Sequence, residues 1–275
     1  MMALIHGQHM AYTDEGTGPT LLFVHGFPLN GDCWSMQVDA FKAKSRVIAP
    51  DLPGFGASPP AAGPTTMARY AEDLFALCQH LETGPVILVG HSMGGYIALA
   101  FALAHPLSLR GLVLVSTRAG ADEPNVATAR RETAAKVQEG GLGAVVKSMA
   151  PKLYSATPSN PGMAQAVRNI MWASSPKGVA NALLGLADRP DQRGRLGDLR
   201  VPTLVVTGTD DALIPPGESA DLARGISGAE LVVIPSAGHL VAYEQPFAFN
   251  EALKAWLEAL PPPTASPSSS REIQP

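Results

Sequence analysis

Cysteine is scarce in this chain, and that scarcity excludes two classes of protein. Among 275 residues only Cys33 and Cys78 occur. Two residues so far apart provide neither a disulfide framework nor a CxxC metal site. We therefore predict two small, buried thiols in a reducing compartment.

Charge is also scarce, and no long apolar run is present. Charged residues make up 16% of the chain and the formal net charge is −4. Because this composition provides no basic face, neither nucleic acid nor an anionic membrane is expected as a partner. Met1 to Glu15 lacks the apolar centre of a signal peptide, and no run reaches membrane-spanning length. A cytoplasmic protein is expected.

Apolar residues, by contrast, are abundant and make up 46% of the chain. They occur in short segments that alternate with helix-like stretches. The predicted strands are Met2–His6, His9–Thr13, Thr20–Val24, Arg46–Ala49, Val86–Val89, Leu112–Ser116, Thr203–Thr207 and Leu231–Ile234. The predicted helices between them are Met67–Leu81, Gly95–His105, Gly217–Arg224 and Phe247–Leu257. This alternation predicts an α/β fold, with a mostly parallel eight-stranded sheet and helices on both faces.

One region interrupts the alternation. Roughly eighty residues between Ser116 and Thr203 contain no convincing strand. Helix-like stretches there are Val126–Gln138, Leu142–Met149, Met163–Trp172 and Val179–Ala187. Because the stretch emerges where ligands bind in open α/β sheets, we predict a helical cap insertion over 118–198, the alternative being a larger helical layer. The core would then comprise 1–117 and 199–260, and the Pro- and Ser-rich 261–275 a flexible tail.

The segment Gly90-His91-Ser92-Met93-Gly94 carries the clearest chemical signal, because a strand precedes it and a helix follows. A serine on so sharp a turn is expected to hold a strained backbone and to expose its hydroxyl above the sheet edge. The flanking glycines would let strand and helix approach closely. Ser92 is the predicted nucleophile, and an ordinary tight turn is the alternative.

A serine hydroxyl needs a base, and seven histidines are available. His239 follows the last predicted strand, so its loop can reach the same sheet edge as Ser92, which predicts a general base. The carboxylate that orients this base should follow a strand as well. Asp210 and Asp211 both do so. Asp210 is interpreted as a turn residue, and the preference for Asp211 rests chiefly on the pattern of the family that the chain resembles, named below.

Two backbone N–H groups are expected to bind the oxyanion that forms during attack. One belongs to Met93, directly after the nucleophile. The other should come from His25-Gly26-Phe27-Pro28, the loop after an early strand. Because Pro28 has no N–H, Phe27 is the predicted donor.

These motifs make the chain similar to the α/β-hydrolase fold superfamily, from about Met2 to about Leu260. The similarity is carried by His25–Leu29 with Trp34, Pro50–Ser58, Gly90–Gly95, Val201–Val205 with Gly208 and Asp211, and Gly238-His239. Within the superfamily the chain resembles small carboxylesterases, 3-oxoadipate enol-lactonases and cofactor-free haloperoxidase/perhydrolase-like enzymes. The resemblance implies hydrolysis of a small-molecule ester or lactone through a serine ester, without metal or organic cofactor.

Haloalkane dehalogenases and epoxide hydrolases of this fold carry aspartate at the nucleophile position. Because this chain has Ser92 there, both classes are excluded. Two alternatives stay open. One is a carbon–carbon bond hydrolase that uses the same three side chains. The other is a non-catalytic receptor for a small ligand. The sequence also leaves open whether the chain forms a homo-oligomer.

The substrate pocket is the least determined part of the site. Trp34 and Leu240 are the predicted substrate-binding residues, beside Phe27 and Met93. Arg189 and Arg193, near the end of the predicted cap, are interpreted as solvated loop charges, with binding of a substrate carboxylate as the alternative.

Overall fold

Short apolar strands form the centre of the protein. The computed structural model describes residues 1–156 and 162–261. The strands are β1 (Met2–Ile5), β2 (Gln8–Glu15), β3 (Thr20–Val24), β4 (Arg46–Pro50), β5 (Val86–His91), β6 (Leu109–Val115), β7 (Thr203–Gly208) and β8 (Glu230–Ile234). β3, β5 and β7 are buried along their whole length, as expected of strands covered on both faces.

The strands form a single sheet in the order β1-β2-β4-β3-β5-β6-β7-β8. The β1–β2 and β2–β4 pairs are antiparallel, and every other neighbouring pair is parallel. The predicted mostly parallel, eight-stranded sheet is therefore confirmed. Because the parallel strands share one direction, the loops after β3, β5, β7 and β8 emerge at the same edge.

Ten α-helices accompany the sheet in the described part of the chain. They are α1 (Ser35–Phe41), α2 (Met67–His80), α3 (Met93–Ala104), α4 (Pro124–Gly140), α5 (Gly143–Met149), α6 (Met163–Trp172), α7 (Pro176–Ala187), α8 (Pro216–Gly225), α9 (Val241–Glu244) and α10 (Pro246–Ala259). The sequence pattern does not predict α1 or α9; α9 has only four residues, too few to show a helical repeat.

Helices cover both faces of the sheet, as predicted. The packing around two glycines shows that α3 and α10 lie on opposite faces. A Cβ added at Gly90 would lie 2.9 Å from Ala98 of α3, whereas one at Gly111 would lie 2.8 Å from Trp256 of α10. Gly111 pairs with Ile87, three residues before Gly90. The two glycines therefore face opposite sides of the sheet, and so do α3 and α10.

Four helices, α4 to α7, fill the connection between β6 and β7, and within its described residues this connection contains no strand. α4 packs against α7. We call α4 to α7 the helical insertion. No helix within 1–156 or 162–261 is long and apolar enough to cross a membrane.

Both cysteines are buried and neither forms a disulfide. Burial raises the pKa of the Cys78 thiol to about 11, so this side chain behaves as a small apolar group. Apart from Pro261, the predicted tail lies outside the described residues.

Candidate active site

Ser92 alone forms the turn between β5, which ends at His91, and α3, which begins at Met93. Its φ of +52° and ψ of −112° lie outside the regions that residues with a side chain favour, at a cost of about 1–3 kcal/mol. The Ser92 amide donates to the Val115 carbonyl at 2.9 Å, and its carbonyl accepts from the Thr117 hydroxyl at 2.9 Å. These bonds hold the strained backbone that the motif predicts.

The glycines around Ser92 are required by close packing. A Cβ at Gly90 would lie 2.3 Å from the Gly94 carbonyl oxygen, and one at Gly94 would lie 2.3 Å from the Val24 carbonyl oxygen. Both distances are far below contact distance, so any larger residue would separate α3 from the sheet. The strand and the helix approach each other closely at these glycines, as the sequence predicts.

The structure brings His239 and Asp211 together. His239 Nδ1 lies 2.9 Å from Asp211 Oδ2 and 3.1 Å from Oδ1, and both side chains are almost fully buried. Oδ1 also accepts the amides of Leu213 at 3.0 Å and Ile214 at 2.9 Å. Asp210, by contrast, is exposed and accepts a hydrogen bond from the Thr209 hydroxyl.

Asp211 is held as a carboxylate. Burial alone would raise the pKa of this carboxyl. The hydrogen bond and charge of His239, with the amides of Ile214 and Leu213, outweigh burial and bring the pKa below its usual value. An ionised Asp211 fixes the proton of His239 on Nδ1 and leaves Nε2 as the acceptor.

The His239 loop is attached to the helical insertion by a buried carboxylate. Glu244 Oε2 accepts the amide of Ser155 at 2.7 Å, and Oε1 accepts the amide of Gly238. The Leu240 amide donates to the Leu153 carbonyl at 2.8 Å. No motif in the sequence points to Glu244, because its partners are backbone groups that meet only in the folded chain.

His91 supports the same loop from the side of β5. Its Nε2 lies 2.9 Å from the carbonyl oxygen of His239, so the ring donates a hydrogen bond to that carbonyl. Burial, reinforced by the neighbouring His239, lowers the pKa of His91 to about 3. His91 is therefore a neutral group that positions the His239 backbone.

Phe27 and Met93, the two predicted oxyanion donors, both line the cavity at Ser92. Within the described chain neither backbone N–H has an acceptor. A Cβ added at Gly26 would lie 3.1 Å from Ser92 Cβ. The loop after β3 is therefore packed directly against the turn that carries Ser92.

Ser92 and His239 face a common cavity of about 290 Å³. Its wall also contains Phe27, Met93, Tyr96, Arg118, Val126, Ala129, Arg130, Thr133, Val145, Ser148, Met149, Lys152, Leu183, Leu186, Leu213 and Ile214. Across the described ranges no hydrogen bond joins the Ser92 hydroxyl to His239; such contacts often shorten only when substrate binds.

Trp34 and Leu240 do not line this cavity, and the prediction that they bind substrate is corrected. Trp34 is 1% exposed, with its ring 4.9 Å from that of Phe23 and 6.1 Å from that of Phe249. Together with His91 and Leu240 it surrounds a void of about 10 Å³. Both predicted residues are used for core packing behind His91.

The interpretation of Arg189 as a solvated charge is also wrong. Its side chain is 2% exposed, and its guanidinium lies 3.8 Å from the centre of the Tyr96 ring. It donates to Asp122 at 3.1 Å, and the same carboxylate accepts from Arg118 and Arg130. Arg193 is exposed, as predicted, and pairs with Asp191.

Comparison with known proteins gives a consistent result. A sequence profile described as alpha/beta hydrolase fold matches residues 19–246. The chain is 28% identical to 3-oxoadipate enol-lactonase 2 of Acinetobacter baylyi (strain ATCC 33305 / BD413 / ADP1), over 86% of this chain and 88% of that protein.

Two solved structures share the fold closely. A thermophilic esterase from Thermogutta terrifontis, with malate bound, has a TM-score of 0.92 and 40% identity, covering 94% of this chain and 98% of that one. The enol-lactonase from Burkholderia xenovorans LB400 has a TM-score of 0.87 and 26% identity, covering 94% and 100%.

Proposed function

The chain belongs to the α/β-hydrolase fold family, and on that premise we propose that it is a serine hydrolase that cleaves a carboxylic ester or lactone. Ser92 forms the acyl-enzyme and His239 acts as general base. One observation carries the proposal: a strained Ser92 and an Asp211-paired His239 face the same cavity. The esterase and enol-lactonase activities named for the similar proteins support it.

In the first half of the reaction, His239 Nε2 accepts the Ser92 proton while Oγ forms a bond to the carbonyl carbon. The N–H groups of Met93 and Phe27 bind the oxygen that becomes negative. His239, now an imidazolium held by Asp211, gives its proton to the leaving oxygen, and the ester C–O bond breaks. In a lactone the released alcohol stays tethered to the acyl group.

Water completes the cycle by the same steps. His239 removes a proton from the water as it attacks the acyl carbon, and then returns a proton to Ser92 as the acid leaves. Both steps require His239 to be neutral at their start, and the ionised Asp211 keeps its ring correctly oriented.

The helical insertion serves as a cap in this proposal. Side chains from α4, α5 and α7 form much of the cavity wall opposite Ser92. We accordingly divide the chain into a core of 1–117 and 199–260 and a cap of 118–198. Such a cap would restrict water and set the size of the acyl group.

The test is acylation and turnover at Ser92. A fluorophosphonate should label the wild-type protein at Ser92, and Ser92→Ala should lose labelling and hydrolysis of aryl esters and enol-lactones. Ser227→Ala, which alters an exposed serine between α8 and β8, should keep both.

Three results would contradict the proposal. Retention of most activity in Ser92→Ala would show that the nucleophile is wrongly assigned. Cleavage of vinylogous diketones, with esters left intact, would favour a carbon–carbon bond hydrolase. Failure of the folded wild type to be labelled would favour a small-ligand receptor.

A further inference from the structure

The cavity over Ser92 contains positive charge that no carboxylate among the described residues of its wall balances. Arg118, Arg130 and Lys152 line it, and within 1–156 and 162–261 no Asp or Glu does. Most of the remaining wall is apolar. The side chains of Arg118 and Arg130 are only 25% and 23% exposed, so they are less screened by water than surface cations and interact more strongly with a bound anion.

Arg130 has the donor arrangement that a carboxylate requires. Asp122 accepts a hydrogen bond from Arg130 Nε. Neither terminal nitrogen of Arg130 has a partner among the described side chains and backbone groups. The planar guanidinium is thus oriented through Nε while its outer N–H groups remain available for a two-point contact with a carboxylate.

Asp122 cannot neutralise the cations around it. It is shared by Arg118, Arg130 and Arg189. Glu218 lies 3.8 Å from Arg118. Lys152 forms no ion pair in the described chain, so positive charge remains in excess at this wall.

The position of Arg130 on α4 relates it to the apolar wall. Val126, Ala129, Arg130 and Thr133 all face the cavity, at the spacing of one helix face. Arg130 therefore lies among small and apolar positions. A volume of about 290 Å³ suits a short molecule, at the low end of ligand sites.

We propose that Arg130, assisted by Lys152, selects esters or lactones that carry a second, ionised carboxylate. The inference rests on the proposed function and names its substrate class. The ester carbonyl lies at Ser92, a short apolar spacer lies along α4, and the carboxylate pairs with the outer N–H groups of Arg130. Hydrolysis adds water across the ester bond and leaves this carboxylate unchanged.

The experiment compares charged and neutral esters of matched length. Monomethyl glutarate against methyl pentanoate places the carboxylate on the acyl side, and 3-carboxyphenyl acetate against phenyl acetate places it on the alcohol side. Acid release in a pH-stat gives kcat/KM for each. We expect the wild type to favour the charged member of at least one pair.

The variants separate Arg130 from its neighbours. Arg130→Gln should lower the charged-to-neutral ratio of kcat/KM roughly tenfold, mainly through KM, as expected for loss of a charge-assisted hydrogen bond. Lys152→Gln should lower it roughly threefold, since Lys152 is exposed. Arg131→Gln is the matched control, because Arg131 pairs with Asp188 outside the cavity, and it should leave the ratio unchanged.

Glutarate binding provides a readout that does not depend on turnover. Calorimetric titration should show binding to the wild type and to Arg131→Gln, and at least tenfold weaker binding to Arg130→Gln. If Arg130→Gln does not fold, the same titration is made with Lys152→Gln, which should bind glutarate more weakly than the wild type.

The two proposals can fail separately. Equal turnover of charged and neutral esters, with a ratio that Arg130→Gln and Lys152→Gln do not change, would overturn the carboxylate site and leave the esterase proposal intact. Absence of ester hydrolysis and of Ser92 labelling would overturn the proposed function, and the glutarate titration would then decide the carboxylate site alone.

Discussion

Two adjacent aspartates differ entirely in what surrounds them. Asp211 is buried and its carboxylate accepts hydrogen bonds from His239 and from two backbone amides. Asp210, one residue earlier, is exposed to solvent. The chemistry of the proposed reaction therefore depends on a single position in the loop after β7.

We predict that Asp211→Asn lowers kcat roughly a thousandfold or more. The amide can keep the contact with His239 but favours the tautomer in which Nε2 carries the proton, so His239 cannot accept the Ser92 proton. Ester hydrolysis at saturating substrate measures the effect. Asp210→Asn is the control and should retain nearly full activity; a similar loss in both variants would mean that the loop, not the carboxylate, is responsible.

The lowered pKa of His91 predicts how the free energy of unfolding depends on pH. Its folded-state pKa of about 3 lies below its unfolded value of about 6.5. Between these values the unfolded chain binds a proton that the folded chain does not bind. The contribution of His91 to stability is therefore complete above about pH 6.5 and falls as pH decreases, by up to about 1.4 kcal/mol per pH unit.

His91→Gln should remove this contribution to the slope. We expect its free energy of unfolding, measured in urea from pH 7 to pH 4, to decrease less steeply than that of the wild type. His80→Gln changes an exposed histidine at the end of α2 and should retain the wild-type slope. Identical slopes for His91→Gln and the wild type would show that His91 is protonated in the folded protein.

At the scale of elements, the loop between β8 and α9 connects the sheet to the helical insertion. Glu244 accepts amides from Gly238 and Ser155, and His91 donates to the His239 carbonyl. A Cβ at Gly238 would lie 2.5 Å from the Ser155 nitrogen, so the two segments are in close contact. Movement of the insertion would therefore displace His239.

We predict that Glu244→Gln lowers kcat about tenfold with a smaller change in KM, because one of two buried amides loses its acceptor at a cost of about 1–3 kcal/mol. Hydrogen exchange should become faster at whichever of Gly238 and Ser155 loses its acceptor. Glu251→Gln, at an exposed position on α10, should change neither. Unaltered exchange at both amides in Glu244→Gln would contradict the positioning role.

At the scale of the whole molecule, the features that could be predicted are those that depend on residues close together in the sequence. The strands and the turn at Ser92 follow from apolar runs and glycine spacing, and the sheet contains the predicted eight strands. Trp34 and Arg189 were assigned wrongly, because an aromatic side chain or a cation in a connecting segment is equally suited to the pocket, to the surface and to the core. Their environments arise from segments that are distant in sequence.

Asp122 pairs with three arginines that are spread from position 118 to position 189, and its loss should lower the stability of the protein. Burial would raise the pKa of this carboxyl, but Arg130, with Arg189 and Arg118, holds it below its usual value. Asp122→Asn would leave three guanidinium groups without their shared anion, which predicts a decrease in unfolding free energy of about 3 kcal/mol in urea. Amides of α4 should then exchange faster than those of β5. Asp191→Asn, which breaks a surface pair, should cost less than about 1 kcal/mol; equal losses in the two variants would show that the shared, buried Asp122 stabilises the protein no more than a surface ion pair does.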